Sequence, residues 1–117
     1  MTSITLYHNP NCSKSRATLE LLTASEQPFT VVEYLQTPPT KAELESLLSA
    51  LDTDPAELVR KDGHFRELGL NAADYVTTEQ VVSLLLAHPK LMQRPIGLRD
   101  GRAVIGRPPQ NINELLG

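Results

Sequence analysis

The sequence predicts an α/β fold: a four-stranded mixed sheet, assembled from a βαβ unit and a C-terminal hairpin, with a helical insertion between the second and third strands. Three observations carry this. A strand pattern, a helical pattern and a second strand pattern follow one another with short joins at the start of the chain, as in two parallel strands with a right-handed crossover. Asp100-Gly101 stands between two apolar runs, the strongest short-range hairpin signal. Between these pieces, about 38–92, the patterns are helical, and an insertion of that length is usually functional or a subdomain.

Taken in order, Ser3-Ile4-Thr5-Leu6-Tyr7 alternates polar and apolar residues, and Pro10 ends the strand. From Ser13 to about Ser25, Ala17 and Leu21 are four apart and Leu19 and Leu22 three apart, one face of a helix. Phe29 to Tyr34 is rich in β-branched and aromatic residues and predicts the second strand. Thr37-Pro38-Pro39-Thr40 is a stiff loop. Thr40 and Glu43 have capping-box spacing ahead of Leu44, Leu47, Leu48 and Leu51. Asp54-Pro55-Ala56-Glu57 predicts another helix start, and Asp62-Gly63 a turn. His64 to Leu70 predicts a short helical piece closed by Gly69. Thr77 and Gln80 open a helix through Val81, Leu84, Leu85 and Ala87 that His88-Pro89 stops. Pro95 to Arg99 and Arg102 to Ile105 form the hairpin around a type I′ turn. Gly106-Arg107-Pro108-Pro109 is a rigid exit loop, and Asn111 to Leu116 a final short helix. No repeat or linker interrupts the chain, so 1–117 reads as a single domain.

Composition narrows the function. The chain has 117 residues, 40% hydrophobic and 21% charged, with a net charge of -3, as in a soluble globular protein. The overall field favours neither nucleic acid nor an acidic membrane, so any anion site must be local. Aromatics are 4% with no Trp, a poor basis for stacking on bases. A single cysteine forms no internal disulfide, which fits a reducing compartment. With no signal-peptide pattern and no apolar run long enough to span a bilayer, a cytoplasmic protein is expected. Nothing calls for an obligate dimer, so a monomer is expected. His8, His64 and His88 with one cysteine make no metal pattern.

The lone cysteine lies in His8-Asn9-Pro10-Asn11-Cys12-Ser13-Lys14-Ser15-Arg16, between strand and helix. A helix N-terminus offers unpaired N–H groups and a partial positive charge. Thiols so placed have pKa values of about 3.5–7.5 instead of about 8.5, and only the thiolate attacks. His8, Lys14 and Arg16 add positive charge, and the Ser15 hydroxyl is expected to donate to the sulfur. A strand-to-helix turn flanked by polar residues is a poor place for an inert core cysteine, so Cys12 is the candidate nucleophile. Arg94 and Arg107 each precede a proline, in loops bracketing the hairpin; if the hairpin pairs beside the first strand, both face Cys12. Arg66, Arg99 and Arg102 are read as surface charges.

His8-Asn9-Pro10-x-Cys12 with Ser15-Arg16 resembles the glutaredoxin-dependent arsenate reductase family. So do Tyr34-Leu35-x-Thr37-Pro38-Pro39, Leu58-Val59-Arg60-Lys61, Glu67-Leu68-Gly69-Leu70, His88-Pro89-x-Leu91, Arg94-Pro95-Ile96 and Gly106-Arg107-Pro108. The motifs keep the family's order along nearly the whole chain. Ser13-Lys14 stands where the best-known members have Gly-Thr, as in a shorter branch. The resemblance implies a thioredoxin-like fold, Cys12 as nucleophile, Arg60, Arg94 and Arg107 as oxyanion-binding residues, His8 and Ser15 as thiolate-stabilising residues, and a cis Arg94–Pro95 bond. It implies no bound cofactor, with glutathione as co-substrate and glutaredoxin as partner.

The chemistry is coherent. Arsenate is a tetrahedral oxyanion, so an attacking thiolate needs cations to neutralise the approach. Arginine's planar, permanently charged fork matches oxyanion edges, and backbone N–H groups in the Cys12 turn would add an anion nest. With no second cysteine, an outside thiol must resolve the arsenic–sulfur adduct. Two alternatives remain. One is a glutathione-linked thiol–disulfide oxidoreductase without arsenate turnover. The other is the related redox-sensing transcription regulator that binds RNA polymerase, whose Cys-x-x-Cys has Ser15 at its second position here.

Overall fold

The computed structural model describes residues 3–116. The chain divides into two compact units, one built from Met1–Thr37 with Arg94–Gly117 and the other from Pro38–Gln93.

The first unit is a four-stranded sheet with a helix. Its strands are β1 (Ile4–His8), β2 (Phe29–Glu33), β3 (Ile96–Arg99) and β4 (Arg102–Ile105), in the order β2-β1-β3-β4. β1 and β2 are parallel, with Ile4 beside Phe29 and His8 beside Glu33, and α1 (Ser13–Ser25) makes the crossover between them. β3 runs antiparallel to both β1 and β4, pairing Tyr7 with Ile96 and Ile96 with Ile105. The hairpin turns on Asp100 and Gly101, with φ of 51° and 75°, as a type I′ turn requires. α1 ends at Glu26 in the left-handed region, its N–H bonded to the Thr23 carbonyl.

The core of this unit joins Ile4 and Leu6 of β1, Leu22 of α1, Val104 of β4, and Ile112 and Leu115 of the 3-10 helix Pro109–Leu115. Gly97 lets that helix lie close on the sheet, because a Cβ there would meet the Ile112 and Leu115 methyls. The buried stripe of α1 is Ser15, Thr18 and Leu22, so apolar spacing alone finds only its C-terminal end. Arg99 departs from the expected surface charge. Its side chain is 10% exposed, and Nη1 donates to Gln27 Oε1 and to the Leu115 carbonyl, both at 2.8 Å. The guanidinium therefore ties the hairpin to the α1–β2 connection and to the C-terminal helix. Arg102 is exposed and pairs with Glu114 at 2.6 Å.

In the second unit, α2 (Lys41–Ala50) and α4 (Thr78–Ala87) pack together; α2 buries Leu44, Leu47 and Leu48, and α4 buries Val81, Val82, Leu84 and Leu85. Both begin with complete capping boxes, Thr40 with Glu43 and Thr77 with Gln80. Two elements differ from expectation. Pro55–Leu58 is a single 3-10 stretch whose Asp54 makes no side-chain cap. Asp62-Gly63 starts a helix, α3 (Gly63–Glu67), with Asp62 Oδ1 accepting from the Phe65 N–H at 3.2 Å. The same short carboxylate serves a turn or a cap. Gly69 follows α3 with φ of 69°. Among the described residues, no helix is long and apolar enough to cross a membrane.

Candidate active site

Topology gathers the site at one end of the first unit's sheet. β1 ends at His8 and leads into the Cys12 turn. Because β3 is antiparallel to β1 and its Ile96 pairs with Tyr7, the residues just before β3, Arg94 and Pro95, arrive at that same end. β4 reverses again, with Ile105 beside Ile96, so Gly106 and Arg107 leave there too. Two residues more than eighty positions from Cys12 are thus carried to it by strand direction alone.

The turn is closed by the Cys12 N–H donating to the Asn9 carbonyl at 3.0 Å. Asn9 Oδ1 accepts from the Asn11 N–H at 2.9 Å, and Arg16 Nη1 donates to the Pro10 carbonyl at 2.9 Å. Cys12 is the N-cap of α1, in extended backbone, and is half-buried. The anion nest expected from the turn is thus displaced. The N–H groups of Asn11 and Cys12 are used by Asn9, and those directed at the sulfur are of Ser15 and Lys14, inside the first turn of the helix.

Arg107 Nη2 lies 3.5 Å from Cys12 Sγ, while its Nε donates to the Arg94 carbonyl at 2.8 Å. The Arg94 side chain also hydrogen-bonds the sulfur. Gly106 allows these loops to close. Its N–H donates to the Pro95 carbonyl at 2.9 Å, and a Cβ there would come within 2.7 Å of Pro95 Cγ and 2.9 Å of Thr18 Oγ1. The Arg94–Pro95 and Arg107–Pro108 bonds are both cis.

Burial pushes the Cys12 thiol pKa up. The Ser15 N–H, the Arg94 side chain, the Lys14 N–H and the Arg107 charge outweigh it, and the net direction is down. A lowered pKa shifts the balance toward the thiolate, the form that attacks.

His8 and Ser15 are buried below this turn. The Ser15 hydroxyl meets His8 Nδ1 at 2.7 Å and accepts from the Asn9 N–H at 3.0 Å. It is Ser15's backbone N–H that serves the sulfur, which corrects the expected hydroxyl contact. Burial lowers the His8 pKa, Glu33 raises it and Arg16 lowers it, and the net direction is down, which favours the neutral ring and runs against the positive charge expected of His8. Asn9 stands in the sequence motif with no role assigned to it, although Asn before Pro is a turn signal that points to one. Arg60 belongs to the second unit, where its N–H donates to the Leu91 carbonyl and its Nε pairs with Asp62 Oδ2 at 3.3 Å. His64 and His88 meet edge to face in that unit, with centroids 6.5 Å apart.

The sheet order, the parallel β1-α1-β2 crossover and the cysteine at the start of α1 define a thioredoxin-like protein with a helical insertion between β2 and β3. A model of the ArsC family matches residues 7–115, and the chain belongs to that family. It is 43% identical over 116 residues to the uncharacterized protein YfgD of Escherichia coli (strain K12), covering 97% of each chain. It is 40% identical over 118 residues to an arsenate reductase of Neisseria meningitidis, covering 99% of this chain and 100% of the other. A solved arsenate reductase from Vibrio cholerae superposes with a TM-score of 0.87 at 36% identity, covering 97% of this chain and 98% of that one.

Proposed function

We propose that the protein reduces arsenate to arsenite, with Cys12 as nucleophile and glutathione with glutaredoxin as the source of electrons. The observation that carries this is the half-buried sulfur bonded by the guanidiniums of both Arg94 and Arg107. Two fixed cations beside a thiolate suit a dianionic or monoanionic tetrahedral substrate better than an uncharged one. The relatives named arsenate reductase supply the particular oxyanion.

The steps balance as follows. The Cys12 thiolate attacks arsenic(V); one arsenate oxygen takes up protons and leaves as water, and a sulfur–arsenic bond forms. Arg94 and Arg107 neutralise the oxygens as the charges converge. The thiolate of glutathione then attacks the Cys12 sulfur. The electron pair of the sulfur–arsenic bond goes to arsenic, which departs as arsenite, and a Cys12–glutathione disulfide remains. A thiol of glutaredoxin takes the glutathione and regenerates Cys12. The ordered His8–Ser15 pair supports the turn that presents the sulfur.

The test is a coupled assay with arsenate, glutathione, glutaredoxin, glutathione reductase and NADPH. Arsenate-dependent NADPH consumption, abolished in Cys12→Ser, is expected. No arsenate-dependent rate beside a working control enzyme would leave the same cysteine to thiol–disulfide exchange alone.

A further inference from the structure

The buried polar side chains among the described residues are His8, Asn9, Ser15 and Thr18. All fall between the end of β1 and the second turn of α1, around the one cysteine. Burying a polar group costs free energy unless it is hydrogen-bonded, so such a cluster marks a place where geometry matters more than stability. Asn9 is its most connected member. Its backbone N–H donates to Ser15 Oγ, its carbonyl accepts from the Cys12 N–H, and its side-chain Oδ1 accepts from the Asn11 N–H.

We propose that Asn9 is a positioning residue for the Cys12 thiolate, tying the turn before the sulfur to the helix turn after it; this rests on the reading of Cys12 as nucleophile. Asn9 acts through the amides. It takes the N–H groups of Asn11 and Cys12, while those of Lys14 and Ser15, in the first turn of α1 where amides lack an intrahelical acceptor, face the sulfur. They reach it only while Cys12 is held at the helix N-cap in its extended conformation. The link from Asn9 N–H to Ser15 Oγ fixes the far side of the sulfur, and the Asx turn to Asn11 fixes the near side. Removing Oδ1 leaves the N–H of the exposed Asn11 to water and frees the near side, so the sulfur spends less time against its amides.

The experiment is the pH dependence of Cys12 alkylation by iodoacetamide in the intact protein, without arsenate or glutathione. Asn9→Ala is expected to raise the midpoint by about one pH unit, an about tenfold slower reaction at a fixed pH well below the midpoint. Asn9→Ser, which keeps an acceptor able to form the weaker hydroxyl version of the turn, recovers part of the shift. Far-UV circular dichroism and melting confirm that the variants are folded. Should Asn9→Ala fail to fold, Asn11→Pro deletes the donor of the same bond from the exposed side and is expected to shift the midpoint in the same direction. An unmoved midpoint in the folded variant, or an Asn9→Ser variant as displaced as Asn9→Ala, overturns the proposal. A parent protein with no arsenate turnover but the expected alkylation shifts sinks the arsenate reading and leaves the role of Asn9 standing.

Discussion

Arg107 holds Cys12 and its surroundings with two different nitrogens: Nη2 lies 3.5 Å from the sulfur, and Nε donates to the Arg94 carbonyl at 2.8 Å. One guanidinium therefore both charges the site and fixes the loop that carries the second guanidinium. Arg107→Ala removes both functions, whereas Arg107→Lys keeps a charge without the fork. The alanine variant is expected to lose about 10²-fold or more in arsenate-dependent kcat/KM, and lysine to restore only part of it. Steady-state kinetics with varied arsenate measure this.

The lowered pKa of Cys12 sets a pH dependence whose sign is fixed. The unfolded chain keeps its thiol proton up to about 8.5, while the folded chain releases it earlier. Stability therefore rises as pH climbs through the window between the folded and unfolded values. The gain is fully present above the unfolded value and is lost as pH falls through the folded one. Alkylation should follow the same titration, with a midpoint below the ordinary thiol range in the parent and a higher one in Arg107→Ala. Alkylation rates across pH check this; equal midpoints would remove Arg107 from the electrostatics.

Gly106 separates packing from charge. A methyl group there must displace Pro95 or Thr18, and overpacking of this kind typically costs about 1–3 kcal/mol. Gly106→Ala should lower the melting temperature and also raise the alkylation midpoint of Cys12, because Pro95 directly follows Arg94, whose side chain hydrogen-bonds the sulfur. Gly101→Ala meets open space at φ of 75°, so it should cost stability while leaving the midpoint alone.

Arg99 and Arg102 make a matched pair of arginines at one hairpin. Arg99→Ala breaks the bonds to Gln27 and Leu115 and is expected to cost about 1–3 kcal/mol. Arg102→Ala loses an exposed ion pair with Glu114 and should cost less than about 1 kcal/mol. Denaturant unfolding of both variants measures the difference, and neither should change Cys12 reactivity.

Asp62 makes two interactions that substitution can divide. Burial raises its pKa, but the Phe65 N–H and the Arg60 pair outweigh it and hold the carboxyl low. Asp62→Asn keeps the cap on α3 and loses the charge pair, and Asp62→Ala loses both. The alanine variant should be the less stable by about 1 kcal/mol, the usual worth of an N-cap. Thermal or urea unfolding reads it.

Much of the fold is legible in the sequence because local chemistry and tertiary structure agree. Asp100-Gly101 adopts the positive φ pair its residues favour, and both capping boxes close in full. The convergence of Arg94 and Arg107 on Cys12 follows once the hairpin is paired beside β1, since strand direction then dictates where the loops emerge. The rest depends on information absent from local pattern. Asp62-Gly63 fits a turn and a helix start equally well. Arg99 looks like any charged residue until Gln27 and Leu115 surround it. The polar stripe of Ser15 and Thr18 is invisible to a search for apolar periodicity, and so is the network in which Asn9 joins the Ser15 hydroxyl to the amides of Asn11 and Cys12. Arg60 lies in the second unit with Asp62 as its partner, and the oxyanion role expected of it comes from the resemblance alone.

The most direct test is a single turnover followed by intact mass and arsenite analysis, with protein, arsenate and reduced glutathione and no glutaredoxin. Reduced glutathione alone lacks an oxidant, so a Cys12–glutathione disulfide should form only when arsenate is present, with arsenite released in equal amount. Absence of arsenite, or disulfide formed equally without arsenate under anaerobic conditions, would contradict arsenate reduction at Cys12.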